Sequence, residues 1–109
     1  MRAILIAALL VAGCSNTPPC ESDTEAFAIA QEFVKRTLRS PSTASFPTMA
    51  ADGVSVRRGT LEDGRCSFDV RLFVDAENAF GGTVRESFIV AVSPDGDSGE
   101  WSLVDITPH

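Results

Sequence analysis

Histidine is almost missing from this chain: one stands at position 109, the last, and tyrosine is absent altogether. No Gly-rich phosphate loop occurs either. Without an internal imidazole or a phosphate cradle, little material is left for an enzyme, and no catalytic residue, metal or cofactor is expected. Cysteine is also sparse. Three Cys are too few for a disulfide-dense miniature scaffold, and they lack the spacing of a zinc site. Basic residues are outnumbered, 9 against 15 acidic, for a net charge of −6. Nucleic acid is therefore not an expected partner, since that needs a basic face against phosphate. Long apolar runs are lacking too. Ile4 to Ala12 is uninterrupted, but as a helix it rises only about 13–14 Å against a hydrocarbon core of roughly 30 Å. The 109 residues hold one domain at most.

What is present begins at the N-terminus. Arg2 followed by the short apolar run reads as a secretory signal peptide over residues 1–13. Its end, Val11-Ala12-Gly13-Cys14, resembles a bacterial lipobox, with Val11 where Leu is usual. The resemblance implies diacylglycerol on the Cys14 sulfur, cleavage after Gly13, and a fatty acyl (palmitate-type) chain on the new amino terminus. An ordinary cleaved signal and a retained anchor are the alternatives. Two or three chains anchor a protein stably, whereas one binds marginally. Ser15 follows Cys14 where enterobacterial inner-membrane lipoproteins carry Asp, which points to the outer membrane, facing the periplasm.

Without residues 1–13 the chain keeps 8 basic and 15 acidic residues, a net charge of −7. Residues 14–21 are expected to be the lipidated Cys and its tether, and residues 22–109 the folded domain. Ser15-Asn16-Thr17-Pro18-Pro19 reads as extended and unpacked, with a reach of about 16–18 Å. An acidic body is repelled by an anionic surface, so the lipid must supply the attachment. Cys20 and Cys66 remain once Cys14 is acylated. In the oxidising compartment that export implies, they are expected to form a disulfide. A redox role is the rival, but no C-x-x-C spacing supports it.

A helix is expected from Asp23 to Arg39. Ser22 and Glu25 fit a capping box. Ala26, Phe27, Ala30, Phe33, Val34, Thr37 and Leu38 recur at spacings of three and four, so they share one face. Acidic residues crowd the start and basic ones the end, as the helix dipole favours. Glu32 stands four residues before Arg36, a spacing suited to an ion pair. Ser40-Pro41 ends the helix. Strands follow. Val54 and Val56 alternate with polar neighbours, and Glu62-Asp63-Gly64 is a turn signal. Cys66, Phe68, Val70, Leu72 and Val74 then alternate strictly with polar residues, which buries one face. Phe73 is the odd member of the wet face. Residues Val84 to Val92 alternate again, Pro94-Asp95-Gly96 turns the chain, and Trp101 to Ile106 makes a last strand. The expected fold is α+β: one N-terminal amphipathic helix packed on a four-stranded antiparallel meander, with a cystatin-like layout as the leading guess. A small β-barrel with a peripheral helix is the alternative.

Two blocks of sequence carry a resemblance. One is Gln31-Glu32-Phe33-Val34-Lys35, Leu38, Ser40-Pro41-Ser42-Thr43-Ala44 and Phe46-Pro47. The other is Val74-Asp75-Ala76-Glu77-Asn78-Ala79-Phe80-Gly81 with Arg85 and Phe88. Together they resemble an uncharacterised domain of bacterial and phage-associated exported proteins, with QEFVK…L-x-SPSTA-x-FP and VDAQN-x-FG…R motifs, set behind varied membrane or lipoprotein anchors. The resemblance spans roughly Ala28 to Ile106 and implies fold and exported context, with no activity attached. Here Ala30 and Val90 stand where that domain carries cysteines, and Glu77 where it carries Gln. The resemblance thus implies that a helix-to-sheet bridge has been lost and that Cys20–Cys66 serves instead.

Asp75, Asn78 and Arg85 are expected to gather at one hairpin, with Asp75 and Arg85 facing each other as an ion pair. Two readings stay open for this cluster. In the structural one, Asn78 and Gly81-Gly82 shape the turn and Phe80 plugs the core edge. In the other, Phe73, Asp75, Asn78, Phe80 and Arg85 recognise a partner. Ser40-Pro41-Ser42-Thr43 has no nearby base, since His109 sits at a frayed terminus, and is expected to terminate the helix. Asp95, Asp97 and Glu100 with Gly96 and Gly99 faintly resemble a calcium loop but lack its ligand spacing, so a solvated turn is expected. The function expected is that of a noncatalytic envelope lipoprotein, a binding module held on the membrane by lipid and contacting an unidentified envelope protein. A small inhibitor or exclusion factor, phage-derived and blocking an envelope enzyme or incoming phage, is the alternative.

Overall fold

A computed structural model of the chain describes residues 18–96 and 99–109. The expected signal peptide (1–13), Cys14 and residues 15–17 lie outside the described residues, as does Asp97 of the calcium-like turn. Helix α1 runs Asp23–Lys35. Four strands follow: β1 Ser55–Thr60, β2 Cys66–Glu77, β3 Thr83–Pro94 and β4 Trp101–Pro108. They pair in the order β1-β2-β3-β4, each antiparallel to the next. The sheet is open, with β1 and β4 at its edges, so the α+β layer holds and the barrel alternative does not.

The Ser22 hydroxyl caps α1 by accepting the Glu25 N–H at 3.2 Å. The other half of the expected capping box is replaced. The Glu25 carboxylate instead accepts the Trp101 indole N–H at 2.9 Å and fastens β4 to the helix. The helix ends four residues before the expected Arg39, for a local reason. The Val34 carbonyl, which Leu38 N–H would need, is taken by Thr37 N–H at 2.9 Å and by Thr37 Oγ1 at 2.8 Å. Leu38 N–H drops to the Lys35 carbonyl, and the α register is lost. Thr37 is consequently exposed instead of lying on the apolar face. Glu32 pairs with Lys35 at 3.3 Å rather than with Arg36. Arg36, beyond the last helical residue, lies over the Phe33 ring at 4.9 Å.

The period of two in β2 holds from Phe68 onward, while Ser67, expected on the wet face, is buried. Phe68, Val70, Leu72, Val74 and Ala76 face the helix and are buried. Registers Phe68–Val92, Val70–Val90 and Leu72–Phe88 extend that layer onto β3. Ala26, Phe27, Ala30 and Val34 close it from above. Ala26 and Ala30 are fully buried, and their small side chains let the helix backbone approach the sheet. Both Ala30 and Val90 lie in this core. Across β3 and β4, Ala91 pairs with Asp105 and Val92 with Leu103, which leaves Val104 as the bulged residue.

Two further features tie the layers. Cys20 and Cys66 are bonded, with Cα atoms 5.9 Å apart. Arg58 of β1 donates to the Asp23 carboxylate at 3.0 Å and to the Glu21 carbonyl at 2.8 Å. Cys20 sits in a 3-10 turn, Pro19–Glu21, so ordered backbone begins ahead of Ser22. At the C-terminus His109 N–H donates to the Ser87 carbonyl at 2.8 Å, so the expected fraying is replaced by a tie to β3.

Candidate functional site

The far end of the β2–β3 hairpin gathers most of the residues singled out from the sequence. The register sets Asp75 directly opposite Arg85. The guanidinium donates Nε–H to Oδ1 at 2.8 Å and a terminal N–H to Oδ2 at 3.0 Å, a two-point fork onto the carboxylate. Its carbon lies 4.0 Å above the centre of the Phe73 ring. A Cβ built on Gly53, whose φ is +89°, would touch the same ring at 3.7 Å. Phe73 is half-buried, in contact with Arg85 and close to the turn at Gly53.

The Asp75 carboxyl is held below its ordinary value of 3.8, chiefly by the hydrogen bonds from Arg85. The same bonds raise Arg85. A carboxylate depressed in the folded state stabilises the fold above its unfolded pKa, and that contribution fades as pH falls through the folded value. An Asp75→Asn variant is therefore expected to melt below the parent at neutral pH. The gap should close as acid carries the pH beneath 3.8. Thermal melts across that range check this, and a gap that persists in acid would show that Asp75 acts otherwise.

Beyond the ion pair, Asn78 shapes the turn. Its Oδ1 accepts the N–H groups of Phe80 at 2.9 Å and Gly82 at 3.0 Å. Its own N–H donates to the Gly82 carbonyl at 2.8 Å. Gly81 adopts φ +82°, a left-handed geometry that a side chain would oppose. Asn78 is therefore spent on the loop. Phe80, expected in one reading to plug the core edge, is 95% exposed. The Asn78 bonds hold the loop outward and leave its ring nothing to pack on.

The SPST segment has a structural task. Pro41–Thr43 forms a 3-10 turn, and Thr43 Oγ1 donates to the Ser40 carbonyl at 2.7 Å and accepts Glu77 N–H at 3.0 Å. Ser45 exchanges two backbone hydrogen bonds with Asp75, at 2.8 and 3.0 Å. The segment thus covers the edge of β2 beyond the start of β1. In the calcium-like turn, Asp95 accepts from the Ser102 hydroxyl at 2.9 Å and lies 3.7 Å from Arg65. Among the described residues no group of three or more His, Cys, Asp or Glu could hold a metal.

Sequence reasoning passed over Arg57 and Arg71. Both lie on the open sheet face, where Arg57 is opposite Asp69 and Ser55 opposite Arg71. The signal was available: the Glu62-Asp63-Gly64 turn fixes the register that sets these arginines diagonally across two strands.

No protein-family model matches the chain, and no curated protein or solved structure is significantly similar to it. The hairpin is therefore read on its own chemistry.

Proposed function

We propose that the protein is a noncatalytic lipoprotein of the bacterial envelope, anchored through Cys14, whose β2–β3 hairpin tip docks an envelope protein through Phe80. The observation that carries this reading is an almost fully exposed Phe80 on a loop of fixed shape. An aromatic ring kept in water on an ordered loop is a ready anchor for a partner's pocket. The disulfide supports the arrangement. It binds the N-terminal segment to Cys66, the first residue of β2. Phe80 lies past the other end of that 12-residue strand, roughly 36–40 Å away. A chain held at the Cys20 end thus presents the hairpin outward from its anchor. The family suggested by the two sequence blocks, exported domains behind varied anchors, accords with this arrangement.

Intact mass tests the anchor. The mature protein should begin at Cys14 and carry acyl chains, and an unacylated product would remove the anchoring half of the proposal. A photo-crosslinking residue at position 80 tests the docking half in intact envelopes, where it should give one discrete protein adduct. Phe80→Ala is expected to abolish function in that setting while shifting stability by no more than about 0.5 kcal/mol. An adduct spread over many proteins would refute a specific dock. The identity of a single adduct separates a general interaction module from an inhibitor of one enzyme.

A further inference from the structure

Arg58, Arg65 and Arg85 of the sheet region each meet a carboxylate. Arg57 and Arg71 do not. Their backbones pair in the strand ladder, but among the described residues neither side chain is held by a hydrogen bond or ion pair. They line a concavity of about 290 Å³ on the face of the sheet turned away from α1. Ser55 of β1 and Ile89 of β3 complete its walls, and Asp69 stands between the two arginines. Pairing Ser55 with Arg71 and Arg57 with Asp69 places the guanidinium groups at diagonal cross-strand positions, where long side chains come within reach of each other.

We infer that this concavity binds a phosphate group, free or carried by a small headgroup. Two arginines flank the single carboxylate of Asp69 on this face, so the concavity keeps a surplus of positive charge in a chain that is acidic as a whole. An anion between them neutralises that surplus. Donor number selects the anion. Two guanidinium groups, each able to present a two-point fork, and the Ser55 hydroxyl line the same concavity, which gives it more donors than the roughly four lone-pair sites of a carboxylate. A tetrahedral phosphate turns its oxygens toward both arginines at once, whereas a planar carboxylate is matched by a single fork. Asp69 then takes a hydroxyl or ammonium attached near the phosphate, and Ile89 supplies an apolar wall. A phosphoethanolamine-type headgroup and a free phosphate share this chemistry.

Nuclear magnetic resonance of the purified full chain tests the site, through the amide signals of Ser55, Arg57, Arg71 and Ile89 and the two Nε signals. The probes are inorganic phosphate, glycerophosphoethanolamine and acetate. Saturable shifts confined to this face are expected with both phosphate probes. Tighter binding of glycerophosphoethanolamine assigns the site to headgroups, and tighter binding of inorganic phosphate assigns it to free phosphate. Arg57→Gln and Arg71→Gln should each weaken binding about tenfold or more, with an unchanged melting temperature, because neither side chain supports the fold. Acetate binding as tightly as phosphate, the absence of saturable shifts, or unaltered binding in both variants would overturn the inference. Phe80→Ala should leave this binding intact, so the result stands apart from the hairpin proposal.

Discussion

Replacing Cys20 and Cys66 together by alanine is expected to cost about 4 kcal/mol of stability, the loop-closure entropy restored to the unfolded chain by a 46-residue separation. For a domain of this size the midpoint of thermal unfolding should fall by roughly 15–30 °C. The effect arises in the unfolded ensemble, so the folded hairpin should keep its Asp75–Arg85 register and its Asn78 loop. Reducing the native protein should reproduce the loss without any mutation. The comparison to make is urea unfolding of the oxidised, reduced and double-alanine proteins. Reduced and double-alanine proteins should agree, and all three midpoints coinciding would show that the bond leaves the unfolded chain unconstrained.

So large a share is expected from one bond because the rest of the N-terminal attachment is modest. The Arg58–Asp23 pair is half exposed, and such pairs contribute 0–1 kcal/mol as a rule. The helix contributes through Ala26, Phe27, Ala30 and Val34, of which the two alanines bury little area. A small domain with a total of about 5–15 kcal/mol stays folded because several such devices act together.

The strand half of this fold was legible in the sequence because period two leaves no ambiguity about faces. From Phe68 to Val74 the alternation alone separates the buried side chains from the rest, whereas Ser67, expected on the wet face, is buried. The register of Asp75 against Arg85 was likewise readable, given a hairpin between them. What escaped was decided by competition between local hydrogen bonds. Thr37 captures the Val34 carbonyl and ends the helix early, and nothing in apolar spacing reveals that. Glu25 prefers the Trp101 indole, 76 residues away, to its own helix terminus. Phe80 was ambiguous for a different reason. An aromatic residue beside two glycines packs inward or points outward according to what the neighbouring Asn bonds, and the two Oδ1 contacts of Asn78 decide for outward. The arginines of the open face were missed because single strand residues carry no pattern until the register pairs them.

Phe68→Ala is expected to cost about 3–5 kcal/mol, the range for emptying a fully buried aromatic site. Phe68 is wholly inaccessible to solvent, stands opposite Val92, and meets the Trp101 ring with centroids 5.6 Å apart. Its site cannot collapse easily, because the disulfide fixes Cys66 two residues before it and the Glu25 hydrogen bond fixes the Trp101 indole above it. The cavity should therefore stay open and the cost should lie toward the upper end. Trp101 is the single tryptophan, so its emission reports on the same site in the folded state and on unfolding in urea. The variant should lose stability with an unchanged slope against urea. A loss under about 1 kcal/mol would mean that β2 does not carry the core. Because the disulfide also holds the Phe68 site open, removing it lets the cavity relax, and the two losses should sum to less than about 7–9 kcal/mol. Even so, a chain lacking both should be largely unfolded at room temperature.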